Sequence, residues 1–138
     1  MPSSTELARR LQRLQDQYRQ ASAGYQNVFA QHQTAHNQVT TARRNLEAEE
    51  RVGQSQARAR IRQKLLQQLQ QAEVNERSLR SQVQRANATL RRREGDLQEE
   101  IRYIEETATL QRRPIPRELA EMISAYNYRG RYQNDPDA

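Results

Sequence analysis

With 138 residues, only 34% of them hydrophobic, and a net charge of +6, the chain is one domain's worth of sequence too poor in apolar residues for a thick core, since globular domains run near ~45–50% apolar. It has no cysteine, which excludes disulfide scaffolds, thiolate metal sites and Cys nucleophiles. No apolar run approaches the ~18 residues of a membrane span, and the N-terminus lacks a secretory signal's hydrophobic segment, so the expectation is a chain without a membrane span that stays where it is made.

The first element opens at Ser3-Ser4-Thr5-Glu6, a capping-box pattern in which the Ser3 hydroxyl accepts from the Glu6 amide. Behind it Leu7, Leu11, Leu14, Tyr18, Ala21, Tyr25, Val28, His32, Ala35, Val39, Ala42 and Leu46 alternate four and three apart. That spacing predicts a long helix with one narrow apolar stripe. Continuing the register meets Glu49, Gly53, Gln56, Arg60 and Gln63, none of which serves as a core knob. A turn near 51–56 follows, with Gly53 as C-cap and Ser55 as N-cap. One bent helix running through Gly53 is the rival arrangement, because Gly inside a helix costs only ~1 kcal/mol.

A second seam starts at Ile61 and runs through Leu65, Leu69, Ala72, Glu76, Leu79, Val83, Ala86, Leu90, Glu94, Leu97, Ile101, Ile104 and Ala108. Its steps 61–65–69 and 86–90–94 each hold two fours in succession, stutters that locally unwind a supercoil. Arg112-Arg113-Pro114-Ile115-Pro116 ends this helix. Pro116 at a first helical position starts a short third one, with Leu119, Met122, Ile123 and Tyr126 on its apolar face. The expected fold is all-α: an antiparallel, coiled-coil-like hairpin over 1–113, then a short helix with a Tyr/Arg tail over 114–138.

Charge is distributed unevenly. Of 23 basic residues 22 are Arg and one is Lys64. Residues 51–70 hold four Arg and Lys64 with no acid, and 71–93 hold six Arg against two Glu, so 51–93 carries +9. Residues 94–110 hold six acids against Arg102. Guanidinium forks suit phosphates and carboxylates, and twenty Gln add neutral hydrogen-bonding groups. Two uses follow: a basic face lying on DNA or RNA, or basic and acidic regions of successive subunits meeting head to tail. A merely solvated charged face is the bland alternative. The candidate phosphate contacts are Arg58, Arg60, Arg62, Lys64, Arg77, Arg80, Arg85, Arg91, Arg92 and Arg93. Gln, Ser and Asn lie among them and supplement Arg at phosphates and sugars, a pattern for tracking a backbone rather than reading bases.

Nothing in the sequence builds an enzyme site. His32 and His36 stand four apart, but no Glu, Asp or Cys lies within a turn of them, and a metal centre needs more ligands. Glu99-Glu100 and Glu105-Glu106 have no expected pocket to raise a pKa for acid–base work. The expectation is no cofactor, no metal and no small-molecule substrate.

A basic, cysteine-free, all-helical chain of this build, with long Arg-rich helices, a turn near Gly53 and a short C-terminal helix, resembles the capsid proteins of filamentous archaeal viruses. That resemblance implies helical subunits that wrap double-stranded DNA, oligomerise with themselves or a related subunit, and reside in a virion. The charged hairpin also resembles the coiled-coil stalk proteins of type III secretion and flagellar export. This second resemblance implies a cytoplasmic adaptor acting only through protein partners.

Overall fold

The computed structural model describes residues 3–52 and 56–133, with side chains for 3–52 and 58–127. The expected caps Gly53 and Ser55, and the Tyr/Arg tail beyond Asn127, lie outside the described side chains. Three helices account for the described chain, α1 (Ser4–Arg51), α2 (Gln56–Gln111) and α3 (Arg117–Gln133), with no strand among the described residues. α1 and α2 pack on each other extensively. Contacts cluster into two compact units, one formed by 1–22 with 89–138 and the other by 23–88.

The start of α1 follows from its capping residue. The Glu6 amide donates to Ser3 Oγ at 3.2 Å, and the Leu7 amide donates to the Ser3 carbonyl at 3.0 Å. The first of these satisfies one of the donors that a helix start leaves unpaired, and the second is the first regular bond of the helix. All twelve expected seam positions of α1, Leu7 through Leu46, are buried or half-buried.

The α2 seam differs from expectation at its start. Ile61 is 49% exposed, whereas Arg58 and Arg62 are half-buried. The buried line therefore runs 58, 62, 65, 69, 72, 76, which alternates four and three and removes the stutter at 61–65–69. An arginine holds a seam position by laying its methylene stem on apolar surface while its head stays wet. From Leu65 to Ala108 the other expected positions are buried or half-buried.

The unit formed by 1–22 and 89–138 is where α3 packs. There α1 buries a second line, Ala8 and Gln15 with Ser22 half-buried, beside the first. α2 widens in the same way, with residues 93–96 all half-buried and Leu97, Glu100, Ile101 and Ile104 buried. Three helices present each member with two neighbours, so each needs two apolar lines rather than one. α3 contributes Leu119 and Ile123, both buried. The Gln15 side-chain amide donates to the Met122 carbonyl at 3.1 Å, and Tyr18 meets Tyr126 edge to face at 5.9 Å. Burial, with Glu94 nearby, holds the Tyr126 phenol above its ordinary value. The unit formed by 23–88 contains α1 and α2 segments alone, and among its described residues the buried side chains are correspondingly few: Ala35, Val39, Leu69 and Glu76.

α2 ends in a left-handed residue. Arg112 has φ 53°, its amide donates to the Thr109 carbonyl at 3.2 Å, and the Arg113 amide donates to the Ala108 carbonyl at 3.1 Å. This is a Schellman end with Arg at the position that glycine prefers, followed by Pro114. A side chain there costs roughly 1–2 kcal/mol relative to the right-handed region. Arg112→Gly is expected to raise stability by about 1 kcal/mol, seen as a higher urea midpoint at unchanged slope; a lower midpoint would show that the Arg112 side chain is needed. α3 begins at Arg117, one residue later than expected, with the Pro116 carbonyl accepting from the Ala120 amide at 2.9 Å.

Candidate nucleic-acid interface

Helical periodicity sorts the ten basic candidates into three environments. In the unit formed by 23–88, Arg60, Lys64, Arg77 and Arg85 are exposed, on the side of α2 away from its buried line. Lys64, Gln71, Ser78 and Arg85 follow one another at seven-residue steps, two turns or about 10.5 Å apart, and all four are exposed. Among the described residues no acid lies within ion-pair distance of Arg60, Lys64 or Arg85. Arg77 stands 3.6 Å from Glu73, and Arg85 Nε donates to the Ser81 carbonyl at 3.5 Å. The face presents cations interleaved with neutral amides and hydroxyls.

A second group faces the seam. Arg58 pairs with Glu49 at 3.0 Å, Arg62 is half-buried, and Arg80 donates to Glu76 at 2.6 Å. Their positive charge is partly matched inside the fold. The third group lies in the other unit: Arg91 stands 3.7 Å from Glu94, Arg93 donates to Gln17 Oε1 at 3.3 Å, and Arg92 is exposed.

The structure brings together polar seam residues that the sequence left separate. His32 Nε2 lies 2.9 Å from Glu76 Oε1, the same oxygen that Arg80 reaches. One carboxylate thus takes two partners, and Glu73 likewise lies 3.8 Å from Arg43 and 3.6 Å from Arg77. The hydrogen bond from His32, then that from Arg80, hold the Glu76 carboxyl below its ordinary value of 4.5. A carboxyl depressed in the folded state stabilises the fold fully above its unfolded pKa, and that contribution is lost as pH falls through the folded value. Wild type is therefore expected to lose more stability than Glu76→Gln between pH 6 and pH 3, measured by urea unfolding at each pH. Equal losses would contradict the pairing. Among the described residues no group of three or more His, Cys, Asp or Glu is placed to hold a metal ion.

Nearby, the small side chains Ala42 and Ala72 leave a groove of about 660 Å³ between α1 and α2, lined also by Thr34, Gln38, Asn45, Gln68, Gln71 and Asn75. Its walls offer hydrogen bonds and no charge. Among the described residues no helix is long and apolar enough to cross a membrane. The chain matches no known protein family, and comparison with curated proteins and with solved structures gave no match.

Proposed function

We propose that this chain is a structural, non-enzymatic protein that coats or packages nucleic acid, double-stranded DNA in particular, without sequence preference. The observation that carries this reading is the exposed face of α2 bearing Arg60, Lys64, Arg77 and Arg85 among Gln71, Ser78 and Ser81. Such a face makes phosphate and sugar contacts, which fix position on a duplex and carry no base information. The setting that fits is a filamentous nucleoprotein such as a virion, in which the subunit works as an oligomer.

The arrangement proposed for the long helices is an antiparallel hairpin. Cross-helix partners support it within each unit: as the α1 member advances from Arg10 to Gln17, its α2 partner falls from Glu100 to Arg93. From His32 through Arg43 to Glu49 the partner falls from Glu76 through Glu73 to Arg58.

The test is neutralisation of the exposed face. Changing Lys64, Arg77 and Arg85 to Gln keeps good helix formers at each site. The triple variant is expected to bind duplex DNA more weakly, with its salt slope flattened by up to about 0.9 per lost contact, or ~2.7 for three. An unchanged slope would place the contacts elsewhere. The reading as a protein-only adaptor draws on the exposed apolar side chains Phe29, Leu66 and Val74 of the unit formed by 23–88, with Phe29 beside Tyr25 at 5.9 Å between rings. That reading predicts no DNA affinity in the wild type near physiological salt.

A further inference from the structure

The unit formed by 1–22 and 89–138 contains a sharp reversal of the chain, made within the five residues between α2 and α3. Successive contacts give α3 its direction. Gln15 meets Met122 and Tyr18 meets Tyr126, so α3 advances along α1 in the same sense. With α1 and α2 antiparallel, as proposed above from the Arg10–Glu100 and Gln17–Arg93 contacts, α3 lies back along the helix it has just left.

Most of the connection is built to be straight. Arg113 and Ile115 each precede a proline, which pushes both toward extended backbone, and Pro114 and Pro116 fix their own φ. The turn falls on Arg112, held in the left-handed region at φ 53°. Among the described residues the backbone bonds of 112–116 reach only Ala108, Thr109 and Ala120, all neighbours in sequence. Arg112, Arg113, Pro114 and Pro116 are exposed. Beside them Leu110 is 85% exposed, a large apolar side chain that the bent connection leaves uncovered.

We infer that α3 exchanges between two copies of this chain, each copy packing its α3 on the α1 and α2 segments of the other. The contacts already present define this occupant. Leu119 and Ile123 are buried, the Met122 carbonyl accepts from Gln15, and Tyr126 meets Tyr18. An exchanged α3 keeps all of these, because the surface it meets is identical. Only the connection changes. It straightens, both Arg112 residues leave the left-handed region, and the two connections pass side by side, where Leu110 gains cover. The bonds given up by the Arg112 and Arg113 amides lie at exposed residues, so water replaces them at small cost. Short connections under strain favour such an exchange. The inference stands apart from the nucleic-acid reading, because it concerns protein free of nucleic acid.

The test is refolding of the full chain from urea, stripped of nucleic acid, over a concentration series, with dimer read by sedimentation velocity. Spin labels on cysteines placed at the exposed positions Gln12 and Glu121 report the α1–α3 distance within one chain. Refolded with excess unlabelled chain, the monomer fraction is expected to show a short distance and the dimer fraction to lose it, since each labelled α1 then holds an unlabelled α3. Arg112→Gly removes the strain from the bent connection and is expected to weaken dimerisation about fivefold for each of two connections, roughly 25-fold together. Inserting Gly-Ser-Gly after Arg113 is expected to weaken it as well. Leu110→Ala is expected to weaken the dimer while leaving the stability of the monomer unchanged. A wild type monomeric at every concentration overturns the inference. So does a dimer that keeps the short distance within the labelled chain, or one whose affinity Arg112→Gly leaves unaltered. Each of these failures leaves DNA binding through Lys64, Arg77 and Arg85 standing.

Discussion

Leu97→Ala is expected to destabilise the unit formed by 1–22 and 89–138 by about 2–5 kcal/mol, the range for removing a large apolar side chain from a packed site. Leu97 is fully buried, as are Leu11 and Leu119, one from each of the three helices. Each sits where two neighbouring helices demand apolar surface, so truncation leaves a cavity that cannot collapse without moving a helix. The comparison that gives the figure meaning is Leu110→Ala, at a residue 85% exposed, for which the expected change is within about 0.5 kcal/mol. Urea unfolding followed by circular dichroism measures both. A Leu97→Ala loss no larger than that of Leu110→Ala would mean that the three-helix core is not formed.

The second large effect belongs to the unit formed by 23–88. Leu79→Asp places a charge on the seam of α2, three residues from the buried Glu76, where like charges one turn apart also repel. A charge without a partner at a seam is expected to cost roughly 3 kcal/mol or more. Because this unit buries a single thin line, the loss should appear as separation of the α1 and α2 segments there. Spin labels at Thr41 and Gln68, on opposite walls of the polar groove, are expected to give a short, sharp distance in wild type and a broad one in Leu79→Asp. A sharp wild-type distance unaltered by Leu79→Asp would remove the seam from the account. The thin core also predicts wild-type melting that rises with protein concentration or with a bound partner.

The long helices were readable because their signal is periodic. A stripe at alternating four and three survives any mistake at one residue, and α1 has its stripe at every expected position. The α2 stripe was misread at Ile61 for a physical reason. Hydrophobicity alone nominates an Ile as the knob, whereas continuity of the helix places Arg58 and Arg62 on that side. Counting back from Leu65 and Leu69 would have found them. The second buried lines, Ala8 with Gln15 and Asp96 with Glu100, were not readable. They exist only because α3 or a facing helix covers them, and buried Gln and Glu carry no apolar mark. Arg112 hides in the same way, since the left-handed residue that closes α2 is normally announced by Gly.

The site shows the same division. Excess positive charge over 51–93 was evident from composition, but which cations are free depends on pairings across helices. Arg58 and Arg80 meet Glu49 and Glu76, while Arg60, Lys64 and Arg85 face outward. His32 and Glu76 were the conspicuous polar members of two apolar seams. Each made sense as the other's partner only once the facing segments were aligned, and Arg80 then completes the cluster from the next turn of α2.

The central claim is that the outward face of α2 binds a phosphate backbone, and the most direct measurement is wild-type affinity for duplex DNA as a function of salt. Fluorescence anisotropy with a labelled 30-base-pair duplex, titrated between 50 and 300 mM salt, gives the slope of log affinity against log salt. The exposed set of Arg60, Lys64, Arg77 and Arg85 predicts a slope of about −3.6, at roughly −0.9 for each of four contacts. A duplex of scrambled sequence should fall on the same line, because phosphate contacts carry no base information. Absence of binding at 50 mM salt, or an affinity that does not change with salt, would contradict the account.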